Sequence, residues 1–168
     1  MGRESDGTNA MSAYRAQRDL LKVVVQVPAS EWHEELEESM WAAHVGEARY
    51  ELRNIPTHSR NLSFGDLVEA IEGPIGLLVT RVVRKSGHST YRIFLEASSA
   101  GDVFAEEWQA FDDQGCSYES SGGRLYAVDV PPTADIFEVY ERLERGEARG
   151  LWDFEEGDCG HPDLPTST

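Results

Sequence analysis

The run VRKSGHSTYR, residues 83–92, gathers the side-chain types that acid–base and anion chemistry use. His88 can serve as a general base, with Ser86, Ser89 or Thr90 as the hydroxyl beside it. A triad also needs a carboxylate to orient the imidazole, and the run has none. Asp66 or Asp129 would have to supply it across space. No Gly-x-Ser-x-Gly elbow exists to present a nucleophile. The same run also suits an anion seat. Ser86 and Gly87 can expose backbone N–H groups, and Arg84, Lys85 and Arg92 bring charge for a phosphate or carboxylate. It is not a P-loop, because the spaced glycines and the Gly-Lys-Ser/Thr ending are missing. A third reading is structural: a polar hairpin corner in which Gly87 takes positive φ and the hydroxyls satisfy backbone groups.

If the loop NIPTHSR, residues 54–60, meets this run, the ligand-binding set becomes Arg84, Ser86, Gly87, His88, Ser89, Thr90, Arg92, Asn54 and His58. The ligand would then be a small anion. Otherwise NIPTHSR is a turn stiffened by Pro56. Asp129 sits among apolar residues in AVDVPP. A carboxylate there needs a partner, and Arg92 or a loop N–H would supply it.

His33, His44, His58, His88 and His161 show no i, i+4 pair and no His-Glu-x-x-His, so no metal site is expected. No cofactor motif is present either. Cys116 and Cys159 form no Cys-x-x-Cys, and the N-terminus has no apolar leader. Both features lead us to expect reduced thiols in a cytoplasmic protein. No apolar run approaches the ~20 residues of a membrane span.

The chain carries 15 basic and 31 acidic residues, a net charge of −16. Nucleic-acid binding needs the opposite sign, so the composition argues against that role. The acidity suits plain solubility, or docking on a basic protein. EWHEELEE, residues 31–38, sets Trp32 among glutamates as a partner anchor, giving a partner-binding set of Trp32, Glu34, Glu35 and Glu38. Residues 49–92 run against this trend, with seven basic and four acidic side chains.

These residues must be positioned by their elements. LLKVVVQVP is a β-branched strand closed by Pro28. In SEWHEELEESMWAAHVG, the spacing of Trp32, Leu36, Met40 and Trp41 predicts a helix opening at Ser30. The alternative is an irregular arm leading into a strand over 39–43. ARYELRNIP alternates as a strand, and two more strands flank the turn at 73–76 after the corner SFGDLVEA. Residues 19–87 thus predict a small antiparallel curled sheet or barrel. From 88 to 157 the rhythm is strand, helix, strand, strand, helix, strand. The first helix carries Val103, Phe104, Trp108 and Phe111. The second opens at Thr133 or Asp135 and runs into Gly146 or Gly150. This order is the ferredoxin-like β-α-β-β-α-β unit, so the fold class is α+β. Residues 1–18 and 158–168 read as flexible termini.

NIP (54–56), LSFGDLV (62–68), SGHSTYR (86–92), GCSYE (115–119), AVDVPP (127–132) and ARGLWDFEEG (148–157), in this order, resemble the bacterial domain of unknown function family 4265. That resemblance implies a bacterial cytoplasmic protein and supplies no reaction. Composition then gives the leading expectation: a non-catalytic acidic cytoplasmic protein that binds another macromolecule as an inhibitor or immunity-type partner. The alternative is an enzyme or sensor binding a small anion near SGHSTYR.

Overall fold

A computed structural model of the chain describes residues 19–98, 101–120 and 122–162. The expected flexible N-terminus, residues 1–18, lies outside the described residues, as do 163–168 of the tail.

Five strands build the first half: β1 (Leu20–Val27), β2 (Leu36–Gly46), β3 (Arg49–Leu52), β4 (Leu67–Gly73) and β5 (Gly76–Arg84). They pair antiparallel in chain order. The sheet then curls until β5 meets β1 in parallel at Val23–Leu77 and Val24–Leu78. Val23, Met40, Ala42, Leu52, Val68 and Ala70 fill the interior. Burying each larger aliphatic side chain is worth roughly 1.5–3 kcal/mol.

The helix expected from Ser30 does not form. Residues 28–35 are an irregular arm, and β2 follows from Leu36. The Trp32-Leu36-Met40 spacing imitates a helical stripe, but Leu36, Glu38, Met40 and Ala42 also alternate with period two. Glu38 at an inward position hides that alternation. The strand wins because β1 needs a partner along its whole length. β2 supplies one, in unbroken register from Leu20–Ala43 to Val27–Leu36.

The second half follows the predicted β-α-β-β-α-β order: β6 (Ser89–Leu95), α1 (Gly101–Asp112), β7 (Ser117–Glu119), β8 (Leu125–Val130), α2 (Ile136–Ala148) and β9 (Trp152–Cys159). The antiparallel sheet runs β7-β8-β6-β9. Strand alternation divides β6 between two environments. Tyr91, Ile93 and Leu95 pack with Phe104 and Phe111 of α1 and with Val139 and Leu143 of α2. Thr90 and Arg92 face the other way, where they bond to the 56–63 segment that follows β3. Asp135 caps α2, its Oδ1 accepting from the N–H groups of Phe137 and Glu138 at 3.0 and 3.2 Å. Gly146 does not stop α2, which continues to Ala148. Gly150, at φ +71°, turns the chain out.

The tail departs from expectation. β9 extends to Cys159, and His161 is buried beneath the SGHST loop with its Nε2–H donated to the Ala134 carbonyl at 2.9 Å. Residues 158–162 are therefore part of the packed structure.

Candidate functional site

The SGHSTYR run is the joint between the two halves, and internal bonds occupy most of its polar groups. The Ser86 N–H and the Ser63 N–H donate to the fully buried Asp66 carboxylate at 2.8 and 3.0 Å. Lys85 Nζ bridges Asp66 and Asp158 at 2.6 Å each. Ser86 Oγ donates to the Phe64 carbonyl at 2.6 Å. Thr90 Oγ1 lies 3.1 Å from the Leu62 carbonyl and 2.9 Å from Ser63 Oγ. Ser89 Oγ, also buried, lies 3.3 Å from His161 Nδ1 and accepts from the Gly160 N–H at 3.1 Å. Gly87 takes φ +91°, and a Cβ there would sit 3.3 Å from Pro132. Arg84 is exposed, away from this network. The Ser86 N–H, one of the two considered for an anion, is thus taken by Asp66, and the His88 N–H donates to Ser86 Oγ at 3.2 Å.

Asp129 supplies the carboxylate that His88 lacks in sequence: His88 Nδ1 and Asp129 Oδ1 are 2.8 Å apart. Of the two carboxylates considered for orienting His88, Asp66 and Asp129, it is Asp129 that does so; the Arg92 or loop N–H considered as partners in the structural reading of Asp129 make no such bond with it among the described residues. The Asp129 bond orients His88 as a catalytic dyad would. No hydroxyl or thiol hydrogen-bonds the imidazole among the described residues; Phe64 covers it, with ring centroids 5.4 Å apart. The pair ties β8 to the joint. Next to Asp129, burial and then the Asp129 and Asp112 charges push the Cys116 thiol up to about 12, leaving it inert.

Arg92 belongs to a different site. It is 1% exposed and lies on the sheet face turned toward the first half. Its Nε donates to Glu155 at 2.6 Å, and its Nη1 donates to the Ser59 carbonyl at 3.0 Å. Nη2 is buried without a protein partner among the described residues. Gly157 makes room for this head, because a Cβ there would lie 2.9 Å from Nη1. Glu38, expected on the partner-binding surface, is turned inward. Its carboxylate accepts from the N–H groups of Thr57, His58 and Ser59 at 2.5, 3.1 and 2.7 Å. It thereby caps the NIPTHSR turn. Asn54 is also structural, its Oδ1 accepting from the Trp41 N–H at 2.7 Å.

Between the arm, this turn and the second sheet lies a cleft of about 330 Å³ lined by Glu31, Trp32, His33, Thr57, His58, Arg92, Phe94, Leu125, Asp153 and Glu155. Trp32 meets Phe94 edge-on at 5.9 Å, and the His33 and His58 rings are 5.0 Å apart. Burial lowers the pKa of His58. The His33 and Arg92 charges add to that, and Glu38 and Glu155 oppose it. At neutral pH His58 is therefore an uncharged wall. The one full cation in the lining, Arg92, is already paired with Glu155. Glu31 and Asp153 are exposed, with no salt-bridge partner among the described residues. Of the ligand set expected in sequence, only His58 and Arg92 line this cleft. Trp32 comes from the partner set, and Glu34 and Glu35 stay on the exposed arm. His33, Phe94, Asp153 and Glu155 were missed. The alternation Trp152-Asp153-Phe154-Glu155 already marked a two-faced strand, and so could have found the last two.

Ion pairs take up five of the seven basic side chains of residues 49–92. Arg53 pairs with Glu51, Arg81 with Glu69, Lys85 with Asp66 and Asp158, and both Arg60 and Arg92 with Glu155. Arg49 and Arg84 stay exposed without an ion-pair partner among the described residues. No cluster of metal-ligating side chains occurs among the described residues, and none of their helices is long and apolar enough to cross a membrane.

The family described as Domain of unknown function (DUF4265) matches residues 38–154. A search of curated proteins gives no match. Among solved structures, a hypothetical protein from Neisseria gonorrhoeae has a similar fold, with a TM-score of 0.70 at 19% identity over 83% of this chain and 96% of that one.

Proposed function

The chain belongs to the DUF4265 family, whose description names no reaction, and we propose that it is a non-catalytic, acidic, cytoplasmic protein that binds a basic macromolecular partner. In this reading the cleft beneath the Trp32 arm receives a lysine or arginine side chain. The supporting observation is the cleft's charge balance: Arg92 is neutralised internally, whereas Glu31 and Asp153 face solvent beside Trp32 and Phe94. A cation over an aromatic face gains roughly 0.5–2 kcal/mol, and an exposed carboxylate adds about 0.2–1 kcal/mol. One such seat falls short of the ~8 kcal/mol of a micromolar complex. The surrounding acidity would contribute mainly to encounter rate and to rejecting acidic competitors.

The test is calorimetric titration with a blocked peptide of alternating arginine and valine at two salt concentrations. Trp32→Ala should weaken binding about two- to thirtyfold and Asp153→Asn about 1.5- to fivefold, each more than Glu106→Gln, which removes the same charge from α1 on the opposite face of the sheet. Equal affinity for all four proteins would reject the cleft. The unpartnered Nη2 of Arg92 supports a second reading, a small carboxylate or phosphate at this cleft rather than in the SGHSTYR loop. In a thermal-shift screen of such anions, stabilisation lost in His33→Ala supports it, and no stabilisation rejects it.

A further inference from the structure

β9 ends the second sheet, and no strand pairs with its outer side among the described residues. The Gly157 carbonyl accepts from the Asn61 N–H at 2.9 Å and Trp152 is buried, so the open stretch is Asp153 to Glu156. Such an edge is a template for another strand, and proteins usually blunt it with lysine, proline or a cover. Here the charges along the strand are acidic: Glu155 is paired with Arg60 and Arg92 and Asp158 with Lys85, whereas Asp153 and Glu156 have no ion-pair partner among the described residues. Carboxylates facing carboxylates would repel a second copy of this edge, and they attract a basic strand.

The two flanks of the edge differ. On one lie Asp153 and Glu155 with the cleft. On the other, Phe154 meets Tyr140 of α2 edge-on at 5.6 Å. Phe137, one helical turn before Tyr140, is 64% exposed, and Tyr140 is 41% exposed. An added strand alternates its side chains between those flanks.

We infer that β9 takes an extended segment of the basic partner by strand addition, placing a cationic side chain over Asp153, the carboxylate of that flank without an ion-pair partner among the described residues, and its apolar side chains against Phe137 and Tyr140. This inference rests on the basic-partner reading above and supplies its geometry. Main-chain hydrogen bonds along the edge would provide affinity that one cation seat lacks.

The alternating arginine–valine peptide tests it when compared with the same peptide N-methylated at every second amide, which keeps the charge and removes strand pairing. Methylation on the pairing side should weaken binding at least tenfold. Bound unmethylated peptide should slow amide exchange within Asp153–Glu156. Unchanged affinity on methylation, with Trp32→Ala and Asp153→Asn still weakening binding, would overturn strand addition and leave the cleft reading standing. Loss on methylation without any effect of those two substitutions would reject the cleft and keep the edge. Failure of both peptides to bind overturns both proposals. So does a dimer that protects the β9 amides without peptide, because the occupant would then be a second copy.

Discussion

Replacing Gly146 by alanine tests the packing that holds β9 against α2. Gly146 lies inside the helix, where alanine is intrinsically better by about 1 kcal/mol. Its φ is not in the left-handed region, so local conformation predicts a gain. The tertiary structure predicts a loss. A Cβ at this position would lie 2.0 Å from Trp152 Cζ2 and 2.1 Å from Cε2. Ordinary carbon contacts need about 3.5 Å, so ring and helix must separate by well over an ångström. Trp152 is 2% exposed and is held by its Nε1–H, which donates to the Leu143 carbonyl at 3.0 Å. Overpacking of this kind costs about 1–3 kcal/mol, and stranding the indole donor adds about 1–3 kcal/mol. Set against the helix gain, the net loss is about 1–5 kcal/mol. For a chain of this size each kcal/mol lowers Tm by about 2–4 °C. Denaturant melts of Gly146→Ala and of Glu144→Ala, an exposed control on the same helix, decide the matter. A Gly146→Ala protein as stable as the wild type would refute the reasoning, because the helix would then have tolerated the methyl group.

Lys85→Met should destabilise the protein by about 1–3 kcal/mol in urea melts. It leaves the buried Asp66 and Asp158 facing each other without their shared cation, and the partial exposure of Lys85 keeps the loss below that of a fully buried pair. Arg60→Met, which removes a more exposed partner of Glu155, should cost under about 1 kcal/mol. The imidazole of His58 is held below its ordinary pKa of 6.5, chiefly by burial. Below that pH the unfolded chain binds a proton that the folded one resists, so this contribution is present above about 6.5 and declines as pH falls. Melts between pH 7 and 5 should show a steeper loss for the wild type than for His58→Gln, and parallel curves would contradict the assignment.

The order of elements was legible in the sequence over most of the chain, because hydrophobic period and turn residues are local. LLKVVVQVP, the turn at 73–76 and the second-half helices needed nothing beyond their neighbours in the chain. The arm at 28–35 was misread where one inward glutamate broke a period of two. The function of that glutamate depends on Thr57, His58 and Ser59, which lie about twenty residues further along the chain.

The site shows the same division. Sequence by itself determined an acidic chain with Trp32 among glutamates, a polar run at 83–92 and no recognised nucleophile or metal signature. It offered Asp66 or Asp129 as the carboxylate for His88 but could not choose between them, nor say that Asp66 and Asp158 would engage Lys85 and Ser86 and make that run a joint. Nor could it bring Arg92, His33, His58 and Asp153 together from four separate segments. Charge and hydrogen-bonding capacity are properties of single residues, but whether a charge faces a partner or water is set by strand register and sheet closure. Those are long-range pairings, and only the tertiary structure decides them.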